Sequence, residues 1–165
     1  MNYPIFIDIE ASGLHSGASY PIQIAFNTED GEIESFFVKP IEEWVYWDRQ
    51  AEYVHQIKRE TLFEQGKEIT WVAERMNECL SGKRVYSDAV RFEAQWLDAL
   101  YSAAKLERMF KLKELQDLAY RMKQYDKFEK ISDQAWQLTS GQRHRADVDV
   151  LHHMKMFEIM KKIRT

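Results

Sequence analysis

Cysteine is almost missing from this chain. Cys79 stands alone among 165 residues, so no intramolecular disulfide can form, and a reducing compartment, the cytoplasm, is the expected location. Glycine is scarce too. Gly13, Gly17, Gly31, Gly66, Gly82 and Gly141 are the full set, and none of their spacings fits a P-loop or a dinucleotide fingerprint. Proline is limited to Pro4, Pro21 and Pro40, all in the first quarter. The longest apolar runs are a handful of residues, and the N-terminus has no basic stretch leading into a long apolar one. No membrane association is therefore expected. A basic excess is also lacking. Twenty-three Lys and Arg against 27 Asp and Glu leave a net charge of -4, with pI near 5.8, which argues against tight, sequence-blind binding to long duplex. A local groove for short or single-stranded nucleic acid stays open.

What the chain does have is apolar mass. At 45% apolar and 13% aromatic residues it can bury a core without covalent staples. No linker, repeat or low-complexity tract divides it, so residues 1–165 read as one domain. Tyr3 to Asp8 has the character of a strand buried on both faces, and Pro21 to Asn27 and Ile33 to Val38 pair as a hairpin across Glu29-Asp30-Gly31-Glu32. Helices are expected over Lys58 to Gln65, Ile69 to Leu80, Phe92 to Leu100, Gln116 to Lys123 and from Arg145 onward. Short strands are expected at Arg84 to Ser87 and Lys111 to Leu115. Strands first, then helices with strands interspersed, predict an α/β domain with a mixed five-stranded sheet flanked by helices.

The chemistry-bearing residues are acids. Asp8 and Glu10 lie two apart on the first strand, so both leave the same face of the sheet. Two carboxylates that close are costly without a cation, and a hard divalent ion such as Mg²⁺ or Mn²⁺ meets that need. Alone, the pair reads more often as a solvated strand end. In His144-Arg145-Ala146-Asp147-Val148-Asp149, Asp149 falls beside the apolar stripe that starts at Val150 and can point inward, while Asp147 projects elsewhere; alone, these acids read as helix caps. Asp88 and Glu93 flank the passage from a strand into a helix, where Asp88 could be an N-cap and Glu93 an ordinary helix residue.

Taken in order, these pieces resemble a family. Asp-x-Glu on the first strand, an acid where a middle strand enters a helix, and His-x-x-x-x-Asp near the C-terminus are similar to the DEDDh 3′→5′ exonucleases, which include ribonuclease T, oligoribonuclease and polymerase proofreading domains. The resemblance runs from Ile5 to Asp149. Ser12-Gly13-Leu14 looks like the family's Thr-Gly-Leu, and Val54-His55-Gln56-Ile57 looks like its His-Gly-Ile turn. The stretches Trp44 to Glu64 and Ser87-Asp88-Ala89 look most like small bacterial exoribonuclease-like proteins. One departure stands out: Phe92-Glu93-Ala94-Gln95-Trp96-Leu97 matches the frame of the middle aspartate but carries glutamate, with Asp88 five residues earlier.

The resemblance implies a ribonuclease H-like fold. It also implies a two-metal hydrolysis that releases nucleoside 5′-monophosphates from a free 3′ end of short or single-stranded nucleic acid, with RNA favoured over DNA. On the matching positions, Asp8, Glu10 and Asp149 would hold two ions, Mg²⁺ or Mn²⁺. Asp88 or Glu93 would complete the second of these sites. His144 would be the general base, and Ser12, Gly13, Leu14 and His55 would meet the substrate. The glutamate leaves room for a weakly active or purely binding module. Many relatives are dimers, so a homodimer is one implied assembly.

Overall fold

The computed structural model describes residues 2–164, the side chain of Arg164 excepted. Five strands form one sheet: β1 (Ile5–Ala11), β2 (Pro21–Asn27), β3 (Ile33–Phe37), β4 (Arg84–Ser87) and β5 (Lys111–Glu114), in the order β3-β2-β1-β4-β5. β2 runs antiparallel to both β1 and β3, and β1, β4 and β5 run parallel. The helices are α1 (Arg49–His55), α2 (Arg59–Gln65), α3 (Ile69–Leu80), α4 (Val90–Ala104), α5 (Leu115–Arg121), α6 (Phe128–Leu138) and α7 (Ala146–Arg164). Among the described residues no helix is long and apolar enough to cross a membrane.

The period-two alternation of β1 sorts its side chains between two cores. Ile5, Ile7, Ile9 and Ala11 pack with α3 and α4, and Phe6 packs with α5, α6 and α7. Asp8 and Glu10 continue the Phe6 face, so both acids are carried toward α7. On β2 the same face bears Gln23, Ala25 and Asn27, the first two opposite Glu10 and Asp8 in the strand register. Ala25 and Ala146 are both fully buried, and their small side chains let α7 lie close to the sheet.

Gln23 fixes where α7 begins. Its Oε1 accepts from the Ala146 N–H at 3.1 Å, and its Nε2 donates to Asp147 Oδ1 at 3.0 Å and to Ser35 Oγ at 3.1 Å. One buried amide therefore caps the helix from the sheet. It also turns Asp147 away from the face that Asp149 occupies.

The strand expectations hold closely, with two adjustments. β1 runs on to Ala11, which places Asp8 and Glu10 within the strand. Leu115, expected at the end of β5, instead opens α5 and is buried there. Two helices lie outside the expected set. α1 sits in the aromatic stretch before Ile57, and α6 buries only Ile131 and Ala135, too few positions to make a helical stripe in the sequence.

Candidate active site

The face of β1 that bears Asp8 and Glu10 meets acids from two helices. Asp149 comes from the first turn of α7, and Glu93 from the first turn of α4. Asp88 stands where β4 passes into α4. Glu93 is buried, and its Oε1 accepts from the Ile9 N–H at 3.1 Å. β1 pairs with β4 only as far as Phe6–Tyr86, so beyond that point a carboxylate takes the place of a partner strand. The extra methylene of glutamate supplies this reach. Asp88 lies further out. Its side chain is 50% exposed, and its Oδ2 is 3.4 Å from Nε2 of the buried His153.

Three carboxylate oxygens in this cluster, Asp8 Oδ2, Glu93 Oε2 and Asp149 Oδ1, are buried without a hydrogen-bond partner in the protein. Bare buried acceptors of this kind are expensive, and the protonation equilibria register it. Burial pushes the Asp8 carboxyl well above the ordinary range, and the charges of Glu93, Glu10, Asp149 and Asp88 push the same way. Burial likewise raises Glu93, against the opposing hydrogen bonds of Ser87 and Ile9. Glu10 is pushed up to about 8 by burial and the Asp149 charge, with Arg145 offsetting part of it. Asp149 is raised to about 6 by burial, against the pull of His153 and His144. Asp88 goes the other way. Burial would raise it, but the hydrogen bond and charge of His153 hold it below the ordinary value. Clustered oxygen donors with unpaired lone pairs and mutually raised pKa values fit a hard divalent cation, whose charge would reverse each of these shifts.

His144 stands at the rim. Glu10, His144 and Asp149 each offer a ligand-type atom, and these lie within 4.8 Å of one another. His144 is exposed, has a left-handed backbone (φ 62°), and donates its N–H to Asp149 Oδ2 at 3.1 Å. The five-residue spacing thus has a local cause: the Asp149 carboxylate reaches back over the start of α7 and fixes the loop that carries the histidine. That loop is held on its other side by stacking. The Arg143 guanidinium lies 4.2 Å from the centre of the Trp136 ring, and Trp136 stacks on His152 at 3.9 Å. His152 Nε2 is bound in turn to the Ser132 carbonyl at 3.1 Å. Trp136 belongs to α6, so this support was not legible beforehand. Burial lowers His152 to about 4, which keeps it neutral and structural.

A cleft of about 450 Å³ opens beside the acids, lined by Glu10, Gly13, Leu14, His55, Trp96 and His144 among others. Leu14 is 65% exposed and stands free at its edge. Gly13 is required by close approach, because a Cβ there would come within 2.7 Å of the Tyr46 ring and 2.9 Å of Asp48 Cβ. Ser12 is wholly buried, and its hydroxyl accepts from the Tyr20 N–H at 3.2 Å, so its side chain braces the loop. His55 Nδ1 accepts from the Ile57 N–H at 3.0 Å, which leaves Nε2–H as an unpaired buried donor, and burial lowers the ring to about 4. Gln56 is left-handed (φ 56°) and ends α1. This conformation favours glycine, the residue that the His-Gly-Ile likeness places there. Of the aromatics in this stretch, Trp44 stacks on the buried Tyr20, Trp47 donates to Glu52, and Tyr53 is exposed.

Comparison with known proteins gives a consistent picture. The family model described as RNase T exonuclease matches residues 5–157. Escherichia coli exonuclease I, solved as a zinc-bound complex with single-stranded DNA, superposes with a TM-score of 0.75 at 19% identity, over 96% of this chain and 40% of that one. A further structure of exonuclease I, one that bears on how its processivity is achieved, gives 0.71 at 18% identity, over 98% and 41%. Exonuclease I from Methylocaldum szegediense gives 0.71 at 14% identity, over 98% and 40%. The chain thus spans about two fifths of the solved proteins it matches. No curated protein sequence matches. The mixed sheet flanked by helices is the ribonuclease H-like fold of these exonucleases.

Proposed function

Starting from a chain that belongs to the RNase T exonuclease family, we propose that residues 1–165 form one metal-dependent 3′→5′ exonuclease domain that trims single-stranded or short nucleic acid to nucleoside 5′-monophosphates. The observation that carries this reading is the set of three buried, unpartnered carboxylate oxygens on Asp8, Glu93 and Asp149, with Glu10 and His144 of the same cluster lining a cleft of about 450 Å³.

Asp8, Glu10 and Asp149 would hold two divalent cations. Of the two candidate middle acids we favour Glu93, whose charge bears more strongly on Asp8, whereas Asp88 is already engaged by His153. Bound there, the cations would supply Lewis acidity to the scissile phosphate and lower the pKa of the attacking water. His144, exposed and hung on Asp149, takes the proton of that water as general base. Gly13 and Leu14 meet the terminal sugar and base. His55 offers its Nε2–H as a donor from the wall of the cleft: burial keeps the ring neutral, and the Ile57 N–H bound at Nδ1 leaves the remaining proton on Nε2.

RNA is the first substrate we assign, on the likeness to exoribonuclease-like sequences. DNA is the second reading, favoured by neighbours whose structures hold single-stranded DNA. RNA and DNA oligonucleotides of equal sequence, each with Mg²⁺ and with Mn²⁺, rank the two by rate of mononucleotide release. His144→Ala is expected to lower kcat by roughly a hundredfold or more while leaving binding of the oligonucleotide unchanged. No mononucleotide from either polymer would overturn the proposal and leave a binding module.

The middle acid has its own test. Glu93→Gln keeps the acceptor for the Ile9 N–H and is expected to lower turnover at least about a hundredfold. Asp88→Asn is expected to cost much less. A reversed ranking in the mononucleotide assay assigns the ligand to Asp88.

A further inference from the structure

β5 is an edge strand, and its alternation separates two kinds of side chain. Leu112 packs into the core beside α4, whereas Lys111 and Lys113 point to the opposite face. The register pairs Arg84 with Lys111 and Tyr86 with Lys113, so these four side chains form a patch two strands wide. Arg121 reaches over it from α5, with Nη1 3.3 Å from the Tyr86 hydroxyl. The patch floors a hollow of about 430 Å³, and among the residues that line it Asp117 is the only acid. Tyr120, 75% exposed, stands at the edge.

Lys39, Lys58, Arg75, Lys83, Arg108 and Lys155 each have a carboxylate within 4.0 Å. Among the described residues, Arg84, Lys111, Lys113 and Arg121 have none. Like charges directly opposed on neighbouring strands are destabilising unless an anion lies between them. Lysines on an edge strand guard against strand-to-strand aggregation, but that role does not require Arg84 on the interior strand β4, or a free tyrosine beside it.

We propose that this hollow binds the sugar–phosphate backbone of single-stranded nucleic acid upstream of the bond cut at Asp8 and Glu10. The inference rests on the exonuclease reading for the position of the 3′ end. β4 leads from the hollow to Asp88 at the acid cluster, about 13 Å along the strand from Arg84. A dinucleotide has a single phosphodiester, the one held at the cluster, so only a longer strand brings further phosphates over the hollow. Cations beside an exposed aromatic are the pairing that single-stranded binders use, the cations for phosphates and the ring for a stacked base.

The test is fluorescence anisotropy in EDTA, which separates binding from turnover, with labelled octauridylate and diuridylate at several KCl concentrations. In the double variant Lys111→Gln/Lys113→Gln, octauridylate is expected to bind about tenfold more weakly, with the salt slope reduced by roughly 1.4. Diuridylate affinity should move less than about twofold. Lys111→Arg/Lys113→Arg should restore the octamer, and Arg84→Gln should reproduce the loss independently. An unchanged octamer affinity and slope, or equal weakening of both ligands, overturns the subsite. Failure of the exonuclease reading looks different: the native protein would bind octauridylate with its full salt slope and release no mononucleotide with Mg²⁺ or Mn²⁺.

Discussion

Asp8→Asn is expected to reduce mononucleotide release by at least about a thousandfold while making the metal-free protein more stable. Both effects follow from where Asp8 sits. It occupies the middle of the cluster, and its carboxyl feels the charges of Glu93, Glu10, Asp149 and Asp88. An amide keeps its size and one acceptor but cannot carry the negative charge that gathers divalent ions. The same loss relieves a buried group whose ionisation the fold opposes. Metal-free Asp8→Asn should therefore melt a few degrees above the native protein at pH 8, and Mg²⁺ should raise its melting temperature less. A variant that lost activity through misfolding would melt lower. Retained turnover would remove Asp8 from the chemistry altogether.

The second large effect concerns pH. Glu10 has a folded value of about 8 against an ordinary 4.5, and Asp149 about 6 against 3.8. Between those values the folded chain holds protons that the unfolded chain has released. The stability these groups give is complete below their unfolded values and is lost as pH rises through the folded ones. His55 and His152, lowered to about 4 by burial, act oppositely. Their stability is present above about 6.5 and is lost as pH falls toward 4. The two trends oppose each other below pH 6.5. Above it the histidines are neutral in both states, and Glu10 sets the trend together with Asp8 and Glu93, which are raised in the same direction.

Metal-free protein should accordingly lose on the order of 2 kcal/mol between pH 6.5 and 8, or roughly 4–8 °C in Tm. Saturating Mg²⁺ or Mn²⁺ should abolish that slope, and Glu10→Gln should make it shallower without metal, Asp8 and Glu93 supplying the remainder. Calorimetry in EDTA across that range decides the matter: a flat profile, or one that metal leaves unchanged, would contradict a cation site at Glu10.

Much of the site was legible because its geometry is local. Asp8 and Glu10 share a face through the pleat of a single strand, and His144 and Asp149 are joined across one helix start, so spacing alone brings each pair together. What spacing does not reveal is depth. Nothing local distinguishes Glu93, buried against the Ile9 amide, from Asp88 at the rim, because that difference depends on where β4 ends relative to β1. The α6 platform stayed hidden for a related reason. Its contribution is one face of Trp136 and a few buried positions, and the sequence between Lys123 and Arg145 reads as polar. Ser12 lies within a motif whose likeness points to substrate, yet its hydroxyl is engaged with Tyr20. A motif places a residue in the chain; the direction of its side chain is set by the loop around it.

Gln23 carries a constraint of a different sort. Its amide accepts from the helix start and donates to both Asp147 and Ser35. A glutamate there would lose the donors and face Asp147 with a second negative charge. A leucine would fit the space but leave the Ala146 N–H unanswered. Neither single change is tolerated easily, so positions 23, 35 and 147 are expected to drift together among relatives or not at all. A residue that takes no part in the proton chemistry would then leave a signature of correlated substitution as firm as that of the acids it helps to aim.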